Sequence, residues 1–323
     1  LFGQPGSGKS SLINKLLNED VVKVSPSTDV TIEATLVDHP NICLVDLPGY
    51  GTTRFPKNDY FSKFNIQDFD LYLCVFSGPF HDADTKFFRE LKQNGSTCIF
   101  VRNFSDNLWQ DGKTKEELQQ DIEGDLEKQL GSKEKVIFTS CKTGTGIGNL
   151  SNQIDCNLEE AKQGKWARAA KAYTLEALEK KRVACDQTIN IYAGLAAANA
   201  INPIPGVDIS VDITIILKLF NKIRKDVYGL TDDNLKEQAD IVKAVGPIIK
   251  RVISHGSKAE IPILLKSFGS KEIVKRTSKY IPLIGQLIAA STGFFITQKA
   301  GYSYRDDCHK VAKAILENEL KGM

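Results

Sequence analysis

Gly3-Gln4-Pro5-Gly6-Ser7-Gly8-Lys9-Ser10 fits the pattern G-x-x-x-x-G-K-S. Glycines at that spacing let backbone N–H groups turn inward around phosphate oxygens, and a helix starting there points its positive end at the same anion. On this reading Lys9 bridges β- and γ-phosphates and the Ser10 hydroxyl ligates Mg²⁺, with Ser11 in the same nucleotide-binding turn. A Gly-rich surface turn is the bland alternative, and it explains none of the motifs further along the chain.

Three later segments select among nucleotide chemistries. Asp46-Leu47-Pro48-Gly49 closes an apolar run at Ile42–Val45. In a D-x-x-G motif the Asp reaches Mg²⁺ through water and the Gly N–H contacts the γ-phosphate. Thr28, in Ser27-Thr28-Asp29-Val30-Thr31, is placed to complete the metal shell; Thr31 and Thr35 are rivals for that role. Asn103-Phe104-Ser105-Asp106 occupies the place of the base-reading N/T-K-x-D motif. Asp106 would accept hydrogen bonds from guanine N1 and N2, which adenine cannot supply. Phe104 replaces the Lys whose stem packs on the base, and an aromatic ring can stack there instead. Ser140-Cys141-Lys142 then resembles an S-A-K segment that meets the base edge through backbone amides. The expected ligands are therefore GTP and GDP with Mg²⁺. Tyr50 comes after Gly49 where Ras-like enzymes carry a water-positioning Gln, so intrinsic hydrolysis should be slow without help from a partner subunit.

Positioning these residues requires alternating elements. Thr31–Val37, Ile42–Val45, Leu71–Phe76, Thr97–Val101 and Lys135–Thr139 read as strands. The first two form an antiparallel edge hairpin across His39-Pro40-Asn41. Asp82–Gln93 and Thr114–Leu130 read as helices between the later strands. That order specifies a mostly parallel, doubly wound α/β sheet, a P-loop Ras-like domain spanning residues 1–160. Such a loop comes after a buried strand, so most of that strand is expected to precede Leu1, and the sequence from Leu1 onward says nothing for or against a signal peptide, transit peptide or myristoylation motif there. From about Ala161 the strand signal ends and helical periodicity takes over, giving an all-α domain over residues 161–323. Turn signals there include Pro205-Gly206, Gly229, Gly246-Pro247, Gly269, Pro282 and Gly301.

Bulk properties fit two globular domains. The 323 residues are 41% hydrophobic and 25% charged, with a formal net charge of +2. That balance gives no reason to expect a nucleic-acid partner. Seven cysteines without a C-x-x-C pair suggest reduced thiols.

The run Gly3–Leu17, the run Asp46-Leu47-Pro48-Gly49-Tyr50-Gly51-Thr52-Thr53-Arg54-Phe55-Pro56 and Phe100-Val101-Arg102 together resemble the immunity-related GTPases, interferon-inducible relatives of dynamin-like proteins. The resemblance implies GTP and GDP binding, self-association on membranes, and GTP hydrolysis within a G-domain dimer. It further implies a cytoplasmic protein peripherally attached to intracellular membranes and acting in cell-autonomous defence. Lys9 places the chain with the effector subgroup. A switch I Glu acting across the dimer is best matched by Glu33. The catalytic set so implied is Lys9, Thr28, Glu33 and Gly49. A nucleotide-controlled module that barely turns GTP over is the competing reading, made plausible by Tyr50 and Phe104.

Two long uncharged stretches, 187–207 and 280–298, lie in the helical half. Both contain Pro, Gly and polar residues, so buried helices are the expectation over membrane spans. Lys218, Lys222, Arg224 and Lys225 come after the first stretch, and Lys271, Lys275, Arg276 and Lys279 precede the second. These either meet anionic headgroups or line a solvated helix face.

Overall fold

A computed structural model describes residues 1–23, 34–39, 41–48, 60, 63–64, 66, 69–80, 82–201, 208–241, 245–257, 259–261, 264 and 282–321. The chain divides into two compact units, Leu1–Lys171 and Ala172–Met323.

The first unit holds strands β1 (Thr35–His39), β2 (Ile42–Asp46), β3 (Tyr72–Phe76), β4 (Cys98–Arg102) and β5 (Val136–Phe138). Its helices are α1 (Lys9–Leu17), α2 (Asp82–Gln93), α3 (Lys115–Leu130), α4 (Ile147–Asn157) and α5 (Glu160–Ala169). β1 and β2 pair antiparallel, and β3, β4 and β5 pair parallel in that order. Leu1 and Phe2 join the two pieces. Leu1 exchanges backbone bonds with Val45 and Leu47, and Phe2 does so with Leu73 and Val75. The segment entering the phosphate loop thus runs between β2 and β3, in the middle of the sheet.

Alternating side chains go to opposite faces of a strand. On one face Tyr72, Cys74, Phe76 and Phe100 meet Phe87, Phe88 and Leu91 of α2 and Leu126 and Leu130 of α3. Elsewhere Ile13 and Leu17 of α1 cluster with Val37, Ala169 and the half-buried Ile42 and Leu44. Thr114 opens α3 with a capping box: its side chain accepts from Glu117 N, and the Glu117 carboxylate accepts from Thr114 N. α5 lies in the first unit, beyond the boundary at residue 160 expected from sequence. Trp166 donates to Ser151 O of α4 at 3.1 Å, and Lys171 N donates to Leu16 O of α1 at 2.8 Å.

The second unit contains α6 (Leu175–Ile201), α7 (Asp208–Asn221), α8 (Asp232–Ile241), α9 (Gly246–His255) and α10 (Pro282–Lys321). α7 continues as a wider π-turn over Lys222–Val227. Asp208 opens α7 and Pro282 opens α10, as their residue types favour. Gly301 departs from expectation: it lies inside α10 rather than in a turn. A Cβ there would lie 2.8 Å from Ile189 and 3.1 Å from Leu219, so its turn-like identity reflects close helix packing. Nor are the basic residues after α7 a free face. Arg224 is buried and bonds Asp232 at 2.6 Å, and Lys222 pairs with Asp226 at 3.2 Å. Residues 271–279 lie outside the described set, as do 202–207, which include Pro205 and Gly206. No helix among the described residues is long and apolar enough to cross a membrane.

Candidate functional site

The loop from Gly3 to Gly8 is shaped by contacts only glycine permits. Gly3 sits at φ +138, and a Cβ there would come within 1.9 Å of Val75 O. Gly8 sits at φ +86, and its Cβ would come within 2.3 Å of the Asn103 side-chain nitrogen. Both dihedrals lie where L side chains are strained. Ser7 N donates to Gln4 O at 3.2 Å and tightens the loop; Pro5 and Gly6 are exposed at its tip. α1 starts at Lys9, so its unpaired N-terminal amides face the loop.

Lys9 is buried, and its ammonium donates to Gly3 O and Gln4 O, each at 3.1 Å. Burial pushes its pKa below the usual lysine value, while the carboxylates of Asp46 and Asp84 act against that shift. The Ser10 hydroxyl donates to Asp46 Oδ2 at 2.5 Å. The other oxygen, Asp46 Oδ1, is buried and has no hydrogen-bond partner among the described residues. β2 ends on Asp46, and Tyr60 steadies the chain just beyond it by donating to Pro48 O at 2.5 Å.

Asn103 ties the base-reading segment to the phosphate loop. It is fully buried, and its amide donates to Ser7 O at 3.0 Å. Its Oδ1 accepts from Thr139 Oγ1 at 3.3 Å and Cys141 Sγ at 3.7 Å. Burial raises the Cys141 thiol to about 11, so at neutral pH the sulfur keeps the proton it donates. Phe104 adopts φ +55, uncommon for an aromatic residue, and its ring lies against Gly8. Ser105 N donates to Thr139 O at 2.9 Å, fixing the loop that carries Asp106. A hydrogen bond from Ser140 holds the Asp106 carboxyl below the usual aspartate range, with Lys142 nearby adding to the shift. Gly146 enforces the neighbouring turn, since a Cβ there would meet Phe138 O at 1.9 Å.

Gly3 to Ser11, Asp46, Asn103, Phe104, Asp106, Ser140, Cys141 and Lys142 therefore belong to the loops at the C-terminal ends of the parallel strands and the start of α1, where open α/β sheets hold ligands. Thr28, Thr31, Glu33, Gly49, Tyr50 and residues 51–56 lie outside the described residues. Asp84 is a participant the motifs did not mark. It is buried in the first turn of α2 and accepts from Gln4 Nε2 at 2.9 Å. Gln4 also donates to Pro79 O at 2.9 Å. Thr139 and Tyr60 were missed as well. No spacing rule announces these residues, because each acts through a contact with a distant segment.

Several known proteins are similar to this chain. The family model described as interferon-inducible GTPase (IIGP) matches residues 1–286. Interferon-gamma-inducible GTPase 10 of Mus musculus is 25% identical over 342 residues, covering 98% of this chain and 80% of the relative. Interferon-inducible GTPase 1 of Mus musculus is 27% identical over 300 residues, covering 86% of this chain and 71% of the relative. A solved structure of a probable GTP-binding protein engB aligns with a TM-score of 0.38 and 22% identity, covering 48% of this chain and 95% of that one.

Proposed function

Since the chain belongs to the interferon-inducible GTPase family, we propose that it binds GTP and GDP with Mg²⁺, self-associates through its GTPase unit, and works at intracellular membranes in cell-autonomous defence. It is a GTP-binding GTPase.

One observation carries the nucleotide part. Ser10 and Asp46 are joined at 2.5 Å beside a glycine loop, with Asp46 Oδ1 buried and without a hydrogen-bond partner among the described residues. Burying a carboxylate oxygen without a partner is unfavourable, and a hydrated divalent cation relieves that cost. The donor set, a hydroxyl and a carboxylate, suits Mg²⁺. Ser10 would ligate the ion, Asp46 would hold its water shell, and Thr28 would supply a further oxygen. When bound, Mg²⁺ neutralises charge on the β- and γ-phosphate oxygens. Lys9 would exchange its two carbonyl partners for those phosphates. The backbone N–H groups from Gly3 to Ser11, Pro5 excepted, would surround them, with Gly49 contributing a further N–H. Asp106 would read guanine, Phe104 would stack, and Asn103 with Ser140, Cys141 and Lys142 would hold the base loop. Glu33 is proposed to act across a dimer of GTPase units, with Tyr50 leaving little intrinsic water positioning. The protein is taken to be cytoplasmic and peripherally membrane-bound, with itself and membrane surfaces as partners and no nucleic acid.

Calorimetry with GTP, GDP and ATP tests the nucleotide reading. Guanine nucleotides should bind and ATP should not, and Lys9→Ala should abolish binding or turnover; equal GTP and ATP affinity would refute the role of Asp106. Turnover per subunit should rise with protein concentration. A rate that stays slow and constant with concentration would favour the non-hydrolysing switch instead. Flotation with anionic liposomes, with and without GTP, tests the membrane part, and no binding in either state counts against direct lipid contact.

A further inference from the structure

A cavity of about 240 Å³ lies beneath the C-terminal ends of β3 and β4, lined by Phe76, Pro79, Phe80, Arg102, Ile122 and Leu126 among others. Most of its wall is apolar. Arg102, Asp125 and Gln129 are its polar lining residues, and Arg102 is the cation among them: it ends β4, is half-buried, and its guanidinium lies 5.8 Å from the Phe76 ring centre. Among the described residues one of its five N–H groups is used, donating to Asn103 O at 2.8 Å. No carboxylate among the described residues pairs with it. Burial lowers its pKa and no neighbouring charge answers that shift. Asp125 also lines the rim, yet its partner is Lys128 at 3.4 Å.

A half-buried guanidinium with no carboxylate pairing it among the described residues carries a partial desolvation cost that the Phe76 ring offsets only in part. It is relieved by an anion that offers two oxygens to the planar fork and an apolar body to the walls. We propose that this cavity is a second ligand site, distinct from the nucleotide site, for a small organic carboxylate with a flat apolar body. A cavity of roughly 150 Å³ already accepts a benzene ring in another protein, so this one has room for a ring with a short acid chain. The site touches both halves of the nucleotide-binding surface. Arg102 donates to the backbone of Asn103, and Pro79 accepts from Gln4 of the phosphate loop.

The probe is 4-phenylbutyrate, titrated into the full chain by calorimetry and by ¹³C-methyl and aromatic NMR. At the efficiency usual for small ligands, a Kd on the order of 1 mM is expected. Shifts should concentrate on Phe76, Phe80, Ile122 and Leu126. The neutral analogue 4-phenylbutyramide should bind at least about tenfold more weakly, as expected for loss of a charge-assisted pair. That comparison uses the unaltered chain and does not depend on any variant folding. Arg102→Gln should weaken the acid to the same extent, and Arg102→Lys should recover part of the loss. GDP with Mg²⁺ should not displace the probe. Displacement by GDP would place the carboxylate in the phosphate loop and overturn the proposal, as would equal binding of acid and amide. No saturation up to about ten times the expected Kd overturns it too. A chain that fails to bind GDP but binds the acid at these residues refutes the nucleotide reading alone.

Discussion

Replacing Asn103 with Ala removes the side chain that fastens the base-reading loop to the phosphate loop. Two hydrogen bonds within normal range are lost, to Ser7 O at 3.0 Å and from Thr139 Oγ1 at 3.3 Å, along with the weak thiol contact. Each neutral hydrogen bond contributes about 1 kcal/mol net, and a stranded buried partner costs about 1–3 kcal/mol. The Thr139 hydroxyl can rotate toward another acceptor, whereas the Ser7 carbonyl is fixed in the loop. The nucleotide-free protein should therefore lose about 2–3 kcal/mol. In a unit of this size, each kcal/mol moves the melting temperature by roughly 2–4 °C, so a drop of about 4–12 °C is expected. Thr139→Val alone should cost about 1 kcal/mol, and the double variant should cost less than the sum, because both changes remove the same bond. Guanine-nucleotide affinity should fall by at least about tenfold, or about 1.4 kcal/mol, since Asp106 is carried on the released loop. Thermal unfolding without nucleotide and fluorescence titration with a mant-labelled GDP measure the two effects separately. An Asn103→Ala protein that melts within about 1 °C of the parent and binds mant-GDP within about twofold would refute the clamp.

Asp84→Asn keeps an acceptor for Gln4 but removes a carboxylate whose field favours the charged form of Lys9. The alkaline pH at which nucleotide affinity declines should therefore lie lower in this variant than in the parent; coincident profiles would exclude the electrostatic role. In the second unit, burial lowers the pKa of both His255 and His309. The unfolded chain then binds more protons in acid, so stability should fall as pH drops below about 6.5. Replacing His309 with Gln should flatten that decline in an unfolding series from about pH 7.5 to about pH 5, the window around the unfolded histidine value, and an unchanged slope would discount this residue. Ser140→Ala removes the hydrogen bond that holds Asp106 low. The acid limb of GDP binding should move to higher pH, and an unmoved limb would show that Ser140 does not sustain the carboxylate.

Much of the site was legible in the chain because its chemistry depends on local backbone form. A loop that wraps phosphate needs glycine at positive φ, and Gly3 and Gly8 stand where the pattern places them. The helix Asp82–Gln93 and the antiparallel β1–β2 pair came from periodicity and a short turn in the same way. The helical half was harder. Gly301 carries a turn residue's identity, yet it lies within α10 because Ile189 and Leu219 leave no room for a Cβ. Arg224 belonged on paper to a basic face, and it is buried against Asp232. Side-chain pairing across helices leaves no mark in a one-dimensional charge pattern.

The sequence by itself determined that a phosphate loop, a D-x-x-G motif at Asp46 and a guanine-type motif occur in order along an α/β chain, because each rests on residue type at short spacing. Only the tertiary structure decided what joins them. Asn103 reaches 96 residues back to Ser7, Gln4 reaches Asp84, and Leu1 with Phe2 seats the loop between β2 and β3. Those contacts depend on which strands lie side by side, and strand order is set by packing on both faces of the sheet rather than by neighbouring residues.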